Sequence, residues 1–102
     1  MSRKCAAALL VVLLASPAQA DKITRTAYAC AEVEDLKGYM SLSDGEGATA
    51  YIRRKIAANV CTLMIEGEPV AVVDRAFWKG FVRIETPEDG MRYWIVDGYV
   101  GK

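Results

Sequence analysis

Residues 45–74 read GEGATAYIRRKIAANVCTLMIEGEPVAVVD, and the spacing of their apolar side chains changes once, at Cys61. Before it, Ala48, Tyr51, Ile52, Ile56 and Val60 recur every three or four residues, which places them on one stripe of a helix. Arg53, Arg54 and Lys55 fall mainly off that stripe. After it, CTLMI and PVAVVD are short runs rich in branched residues, separated by Glu66-Gly67-Glu68-Pro69, and such runs bounded by turn residues read as strands. The spacing predicts a helix over about 45–58. Ser43-x-x-Glu46 has the pattern of a capping box, with Asp44 as an alternative cap. The basic residues toward the end of the helix suit the negative pole of its dipole.

Working upstream, AEVEDLKGYM (31–40) puts Val33, Leu36 and Met40 at helical spacing, with Glu32, Glu34 and Asp35 gathered where a helix dipole favours negative charge. Gly38 keeps this helix short, since glycine lowers helix propensity. ITRTAYAC (23–30) suits one short extended segment. Working downstream, FVRIET and MRYWIV are two more strand-like runs. Pro87-Glu88-Asp89-Gly90 between them is a hairpin signal, with Gly90 free to take a positive φ. Residues 76–80 form a tighter loop, and Asp97-Gly98-Tyr99-Val100 suggests a last turn and a short strand. Two helices followed by four or five strands give an α+β expectation, with the helices segregated from an antiparallel sheet.

The first twenty residues, MSRKCAAALLVVLLASPAQA, follow a different logic. Arg3 and Lys4 precede an uninterrupted apolar run from Ala6 to Ala15, and Ala18-Gln19-Ala20 fits a small-x-small cleavage site. Residues 1–20 are therefore expected to be a signal peptide, cleaved after Ala20, leaving a single domain over 21–102. Within it, 21–59 would hold a strand and two helices, and 60–102 the strand-rich half. The apolar run is shorter than the roughly 20 residues that span a bilayer, so no transmembrane segment is expected after cleavage; the rival reading is an uncleaved anchor. Cys5 precedes the apolar run, whereas a lipid-modified cysteine would sit at the cleavage point. The short basic start and alanine-rich core suggest a bacterial periplasmic or secreted protein.

Without Arg3 and Lys4, 11 basic residues face 13 acidic ones, a net charge of −2. That balance lacks the basic footprint of a general nucleic-acid binder. Cys30 and Cys61 remain, and an even count in an oxidising compartment reads as a disulfide. It would close a loop of roughly 30 residues and stabilise by about 3–4 kcal/mol in the chain-entropy description. A redox pair would want C-x-x-C spacing, and zinc about four Cys or His ligands; the chain has no histidine.

The strand half carries the frame Cys61-x-Leu63-(x3)-Gly67-x-Pro69-Val70-x-Val72, then Gly80-x-Val82-x-Ile84, then Gly90-(x2)-Tyr93-Trp94-Ile95, ending near Val100. On that frame it resembles a bacterial SH3-like domain. The resemblance implies a small antiparallel β-barrel, with two N-terminal helices packed on it. It covers about 40 residues and departs from the pattern in the aromatic loop Arg75-Ala76-Phe77-Trp78-Lys79. Such domains often bind cell-wall peptides.

The candidate ligand-binding residues are Phe77 and Trp78, flanked by Arg75 and Lys79, together with Tyr93 and Trp94. An aromatic pair at a loop tip marks a contact surface or a lid over the core. On one strand Met91, Tyr93 and Ile95 share a face, and Arg92, Trp94 and Val96 the other; the aromatics either fill a core or line a groove. Arg53-Arg54-Lys55 reads as a solvated helix face or a weak anionic contact. Chemistry is poorly supplied. Glu66, Glu68, Glu88 and Asp89 lie in turns rather than in buried pairs, and without histidine the usual base for a serine or cysteine nucleophile is missing. Asp44-Gly45-Glu46-Gly47 lacks the ligand spacing of an EF-hand. The expected function is that of a non-catalytic exported binding module without a cofactor, taking a peptide, a peptidoglycan fragment or an envelope protein. The alternatives are a secreted inhibitor of an enzyme such as lysozyme, or an accessory protein with no independent site.

Overall fold

A computed structural model describes residues 21–75 and 80–102. Strands β1 (Asp21–Ile23) and β2 (Ala27–Cys30) are followed by helices α1 (Val33–Met40) and α2 (Gly45–Ala57). Then come β3 (Cys61–Met64), β4 (Pro69–Asp74), β5 (Phe81–Glu85) and β6 (Arg92–Val96), a 3-10 turn (Asp97–Tyr99), and β7 (Val100–Gly101). The seven strands form one antiparallel sheet in the order β3-β2-β6-β5-β4-β1-β7.

This corrects the expected barrel in two respects. The sheet is not closed, since β3 and β7 end the ladder and do not pair with each other. The helices are not N-terminal elements set before the sheet; they are inserted between β2 and β3, two neighbouring strands. The extended segment expected over 23–30 is in fact two strands. The chain bends at 24–26 and changes neighbours there, β1 pairing with β4 and β7 while β2 pairs with β3 and β6.

Alternation along the strands splits the apolar residues between two cores. On one face Ile23, Ala29, Met64, Val70, Val82, Ile84 and Ile95 form a buried cluster. Ile23 of β1 and Met64 of β3 belong to it although four strands separate them in the sheet, so the sheet curls around this face. On the other face Cys30, Cys61 and Trp94 meet Val33 and Leu36 of α1 and Ile52 of α2. The helices thus cover the outside of the curl. Turn glycines permit the reversals: Gly67 has φ 97° after β3 and Gly90 has φ 71° before β6.

The second helix begins on Asp44, whose carboxylate accepts the Gly47 N–H at 2.8 Å. The alternative cap is therefore the one used, one residue past the Ser43 of the expected capping box. Of the expected stripe only Ile52 is fully buried, Tyr51 and Val60 being half-buried and Ile56 exposed. The helix leans on α1 through polar contacts instead. Lys55 Nζ lies 3.0 Å from Asp35 Oδ1, and the Tyr51 hydroxyl donates to the Asp35 carbonyl at 3.1 Å. The ion pair holds the Lys55 ammonium above its ordinary pKa, through the hydrogen bond from Lys55 to Asp35 first.

Gly38 is explained by this contact. A Cβ there would run into the Tyr51 hydroxyl, so the position trades helix propensity for the close approach of α2. Gly38→Ala gains about 1 kcal/mol of propensity but overpacks the helix pair, which costs typically about 1–3 kcal/mol. The expected outcome is a lower urea midpoint, with Tyr51→Phe in the same chain losing less on the added methyl than the parent does. A rise in the midpoint for Gly38→Ala alone would show that the helices are free to move apart.

Cys30 and Cys61 are joined by a disulfide at directly paired positions of β2 and β3. Its sulfurs lie in the helix-side core.

Candidate functional site

The helices do not cover the whole outer face. Past the C-terminal end of α1, a cleft of about 420 Å³ opens over the sheet. Its floor is made by side chains that alternation directs to this face: Tyr28 of β2, Leu63 of β3 and Val96 of β6. Leu36, Tyr39 and Met40 of α1 form one wall. Arg25 and Thr26 from the bend after β1, with Tyr99 from the 3-10 turn, form the other.

The aromatic rings are arranged by one another. Tyr28 and Tyr39 meet edge to face with centroids 5.4 Å apart, a favoured geometry for ring quadrupoles. The Arg25 guanidinium stands 5.4 Å from the centroid of Tyr99, within cation–π range. Among the described residues Arg25 makes no ion pair. Met40 is half exposed at the rim, and an unbranched thioether adapts to the shape of what it touches. The cleft therefore offers an apolar floor, three phenol rings and one uncompensated cation. That set suits an apolar or aromatic group lying next to a carboxylate.

The residues singled out from the sequence lie elsewhere. Phe77, Trp78 and Lys79 fall outside the described residues. Arg75 is exposed, its guanidinium 3.7 Å from the Asp97 carboxylate. Tyr93 and Trp94 are on opposite faces of β6. Tyr93 is half-buried against the inner core, and burial first, then the charge of Asp89, pushes its phenol above the ordinary tyrosine range. Trp94 is only 8% exposed and sits under the helices. Beside it on β5, Arg83 holds its guanidinium 5.7 Å from the indole, and its buried Nε has no hydrogen-bond partner among the described residues.

Acidic groups in the turns act locally. The Asp89 carboxylate accepts from the Thr86 hydroxyl and from the Met91 N–H, which holds it below the ordinary carboxylate range and pins the β5–β6 turn. Glu68 accepts the Ile65 N–H at 2.6 Å in the β3–β4 turn. Among the described residues no group of three or more His, Cys, Asp or Glu side chains is placed to hold a metal ion, and no helix is long and apolar enough to cross a membrane.

The cleft residues Arg25, Tyr28, Tyr39 and Tyr99 were missed because they come from four separate elements. The one trace they leave is three tyrosines on short elements: Tyr28 within β2, Tyr39 near the end of α1 and Tyr99 in the 3-10 turn. The fold and the cleft together define a small, disulfide-linked chain of two helices on an open, curled antiparallel sheet, with an aromatic cleft at the end of the first helix. No known family model, curated protein or solved structure matches it.

Proposed function

We propose that this chain is a non-catalytic binding module whose site is the α1-end cleft. Its ligand is a peptide segment that presents an apolar or aromatic side chain beside a carboxylate. The carrying observation is the cation of Arg25, held on Tyr99 at the mouth of a tyrosine-lined apolar cleft and engaged by no acidic side chain among the described residues. A leader-like start and a disulfide fit an extracytoplasmic setting, periplasmic or secreted, where the segment would belong to an envelope protein or to a cell-wall peptide.

Titration of the protein with short peptides, followed by amide and tyrosine NMR shifts, tests this. Peptides pairing an aromatic residue with a carboxylate should saturate and move Arg25, Tyr28, Tyr39 and Tyr99 together. Arg25→Ala should weaken them by about tenfold, the size of one charge-assisted hydrogen bond. Amidating the carboxylate should remove that difference between the two proteins. Shifts centred on other residues, or none up to the solubility of the peptides, would overturn the assignment.

A further inference from the structure

We propose that the cleft at the end of α1 takes the free C-terminus of a peptide, with the α-carboxylate at Arg25 and the last side chain, apolar or aromatic, on the floor. The proposal rests on the cleft reading above and narrows it, because a carboxylate beside an apolar group comes either from a chain end or from an internal acidic residue. The donors and acceptors around the cleft separate the two. Arg25 brings a guanidinium, which only donates. The hydroxyls of Tyr28, Tyr39 and Tyr99 line the same space and make no hydrogen bond among the described residues.

Acceptors, by contrast, are absent or engaged. Among the described residues no carboxylate or carboxamide side chain lines the cleft. Thr26 Oγ1 already accepts the Glu66 N–H at 2.9 Å. The carbonyls at the end of α1 are used by the residues that stop the helix. Lys37 accepts from the Ser41 N–H at 3.0 Å, Gly38 from the Ser41 hydroxyl at 2.8 Å and Tyr39 from the Leu42 N–H at 3.2 Å. What remains are the phenol oxygens, which are donors as well. An internal acidic residue carries a backbone N–H on either side of its carbonyl, and a buried N–H without an acceptor costs more than an ordinary hydrogen bond returns. A chain end replaces the following N–H by a second carboxylate oxygen, so it asks for donors where the cleft supplies them. The same count rejects a free amino acid, whose ammonium would meet no acidic side chain there.

Charge also orients the end. α1 finishes at the cleft, and the C-terminal pole of a helix repels an anion. The carboxylate therefore belongs at the other wall, where the Arg25 guanidinium stands over Tyr99 and can take both oxygens in its planar fork. Leu63, 43% exposed, and Met40, 51% exposed, form the open apolar border, and the preceding residues of the peptide leave across them. The volume agrees with a terminus. About 420 Å³ is toward the small end of ligand clefts, which run from about 300 to 1,000 Å³, and it holds the end of a chain better than a segment that must enter and leave.

Three probes of the intact protein, followed by the amide shifts of Arg25, Tyr28 and Tyr99, test this. The first is acetyl-glycyl-glycyl-phenylalanine with a free carboxylate. The second is acetyl-glycyl-aspartyl-phenylalanine amide, which has the same charge but carries its carboxylate on a side chain beside the ring. The third is phenylalanine itself. The first should bind at least about tenfold more tightly than either of the others, the scale of one charge-assisted contact. Arg25→Ala should bring it down to the level of the second, and Arg25→Lys, which keeps the charge without the fork, should recover only part of the loss. Equal affinity for the first two probes would overturn the chain-end assignment while leaving the cleft as a site for carboxylate-bearing peptides. Phenylalanine binding as tightly as the first probe would overturn it too, since an ammonium would then be accepted. If neither peptide moves the cleft resonances, the reading of the cleft as a peptide site fails along with it.

Discussion

Replacing Cys30 and Cys61 together by alanine is expected to cost about 2–5 kcal/mol of stability, a large share of the about 5–15 kcal/mol that a whole domain typically holds in reserve. The two cysteines sit opposite each other on β2 and β3, 31 residues apart in sequence, and everything between them is the helical insertion. The bridge therefore closes the loop that carries both helices at the point where that loop leaves and re-enters the sheet. The helices bring few anchors of their own: Val33, Leu36 and Ile52 are their only buried apolar side chains among the described residues. With so little burial, the entropy that the crosslink removes from the unfolded chain weighs heavily in the balance. Reduction of the parent protein should move the urea midpoint nearly as far as the double substitution, because both release the same loop. Amide exchange in 33–57 should accelerate before that of β5 and β6, which are paired over five residues. A loss below about 1 kcal/mol, within the range of an ordinary surface or boundary substitution, would mean that the sheet register alone holds the insertion in place.

How far the sequence discloses this arrangement depends on whether the signal is local. α2 and strands β3 to β6 lie within a residue or two of where periodicity and turn residues put them, because each buries one face and each is punctuated by glycine, proline or acidic turns. The disulfide partners are likewise legible, there being only two cysteines after the leader-like segment. Closure of the sheet is not. An open curl and a barrel need the same alternation along each strand and differ only in whether β3 and β7 meet, a long-range matter that no window of residues records. The two residues of β7 and three of β1 are too short to alternate at all. Trp94 and Tyr93 illustrate a partial success. Their opposite faces follow from the strand period, but which face the helices would cover depends on how the insertion folds back. The cleft is the least legible part. It exists because α1 stops at Met40, covering Tyr28 only in part and leaving Leu63 exposed, and that stop is set by a length and not by any motif.

Trp94→Ala should cost about 3–5 kcal/mol, as expected when a large aromatic is removed from a core, and the loss should fall unevenly on the molecule. The indole lies on the outer face of β6, 8% exposed, and meets Cys30, Cys61 and the buried residues of both helices. Ile95, its neighbour in the chain, points the other way into the inner core. Removing Trp94 opens a cavity between sheet and helices while leaving the inner cluster untouched. It also strips the ring from beside the Arg83 guanidinium, 5.7 Å away, whose Nε is already buried without a hydrogen bond among the described residues. That second effect separates packing from charge. Trp94→Phe restores an aromatic face and should recover more than half of the loss, whereas Trp94→Leu, apolar but without a ring, should recover less than its volume suggests. Amide exchange supplies the spatial check. In Trp94→Ala the helices should open at lower free energy than the strands around Ile84 and Ile95, and the disulfide should keep them tethered as they do so. Equal destabilisation of both faces would mean that the two clusters fold as one unit, with the sheet transmitting strain from one side to the other, and the helices could then no longer be regarded as a layer added to a self-sufficient curl.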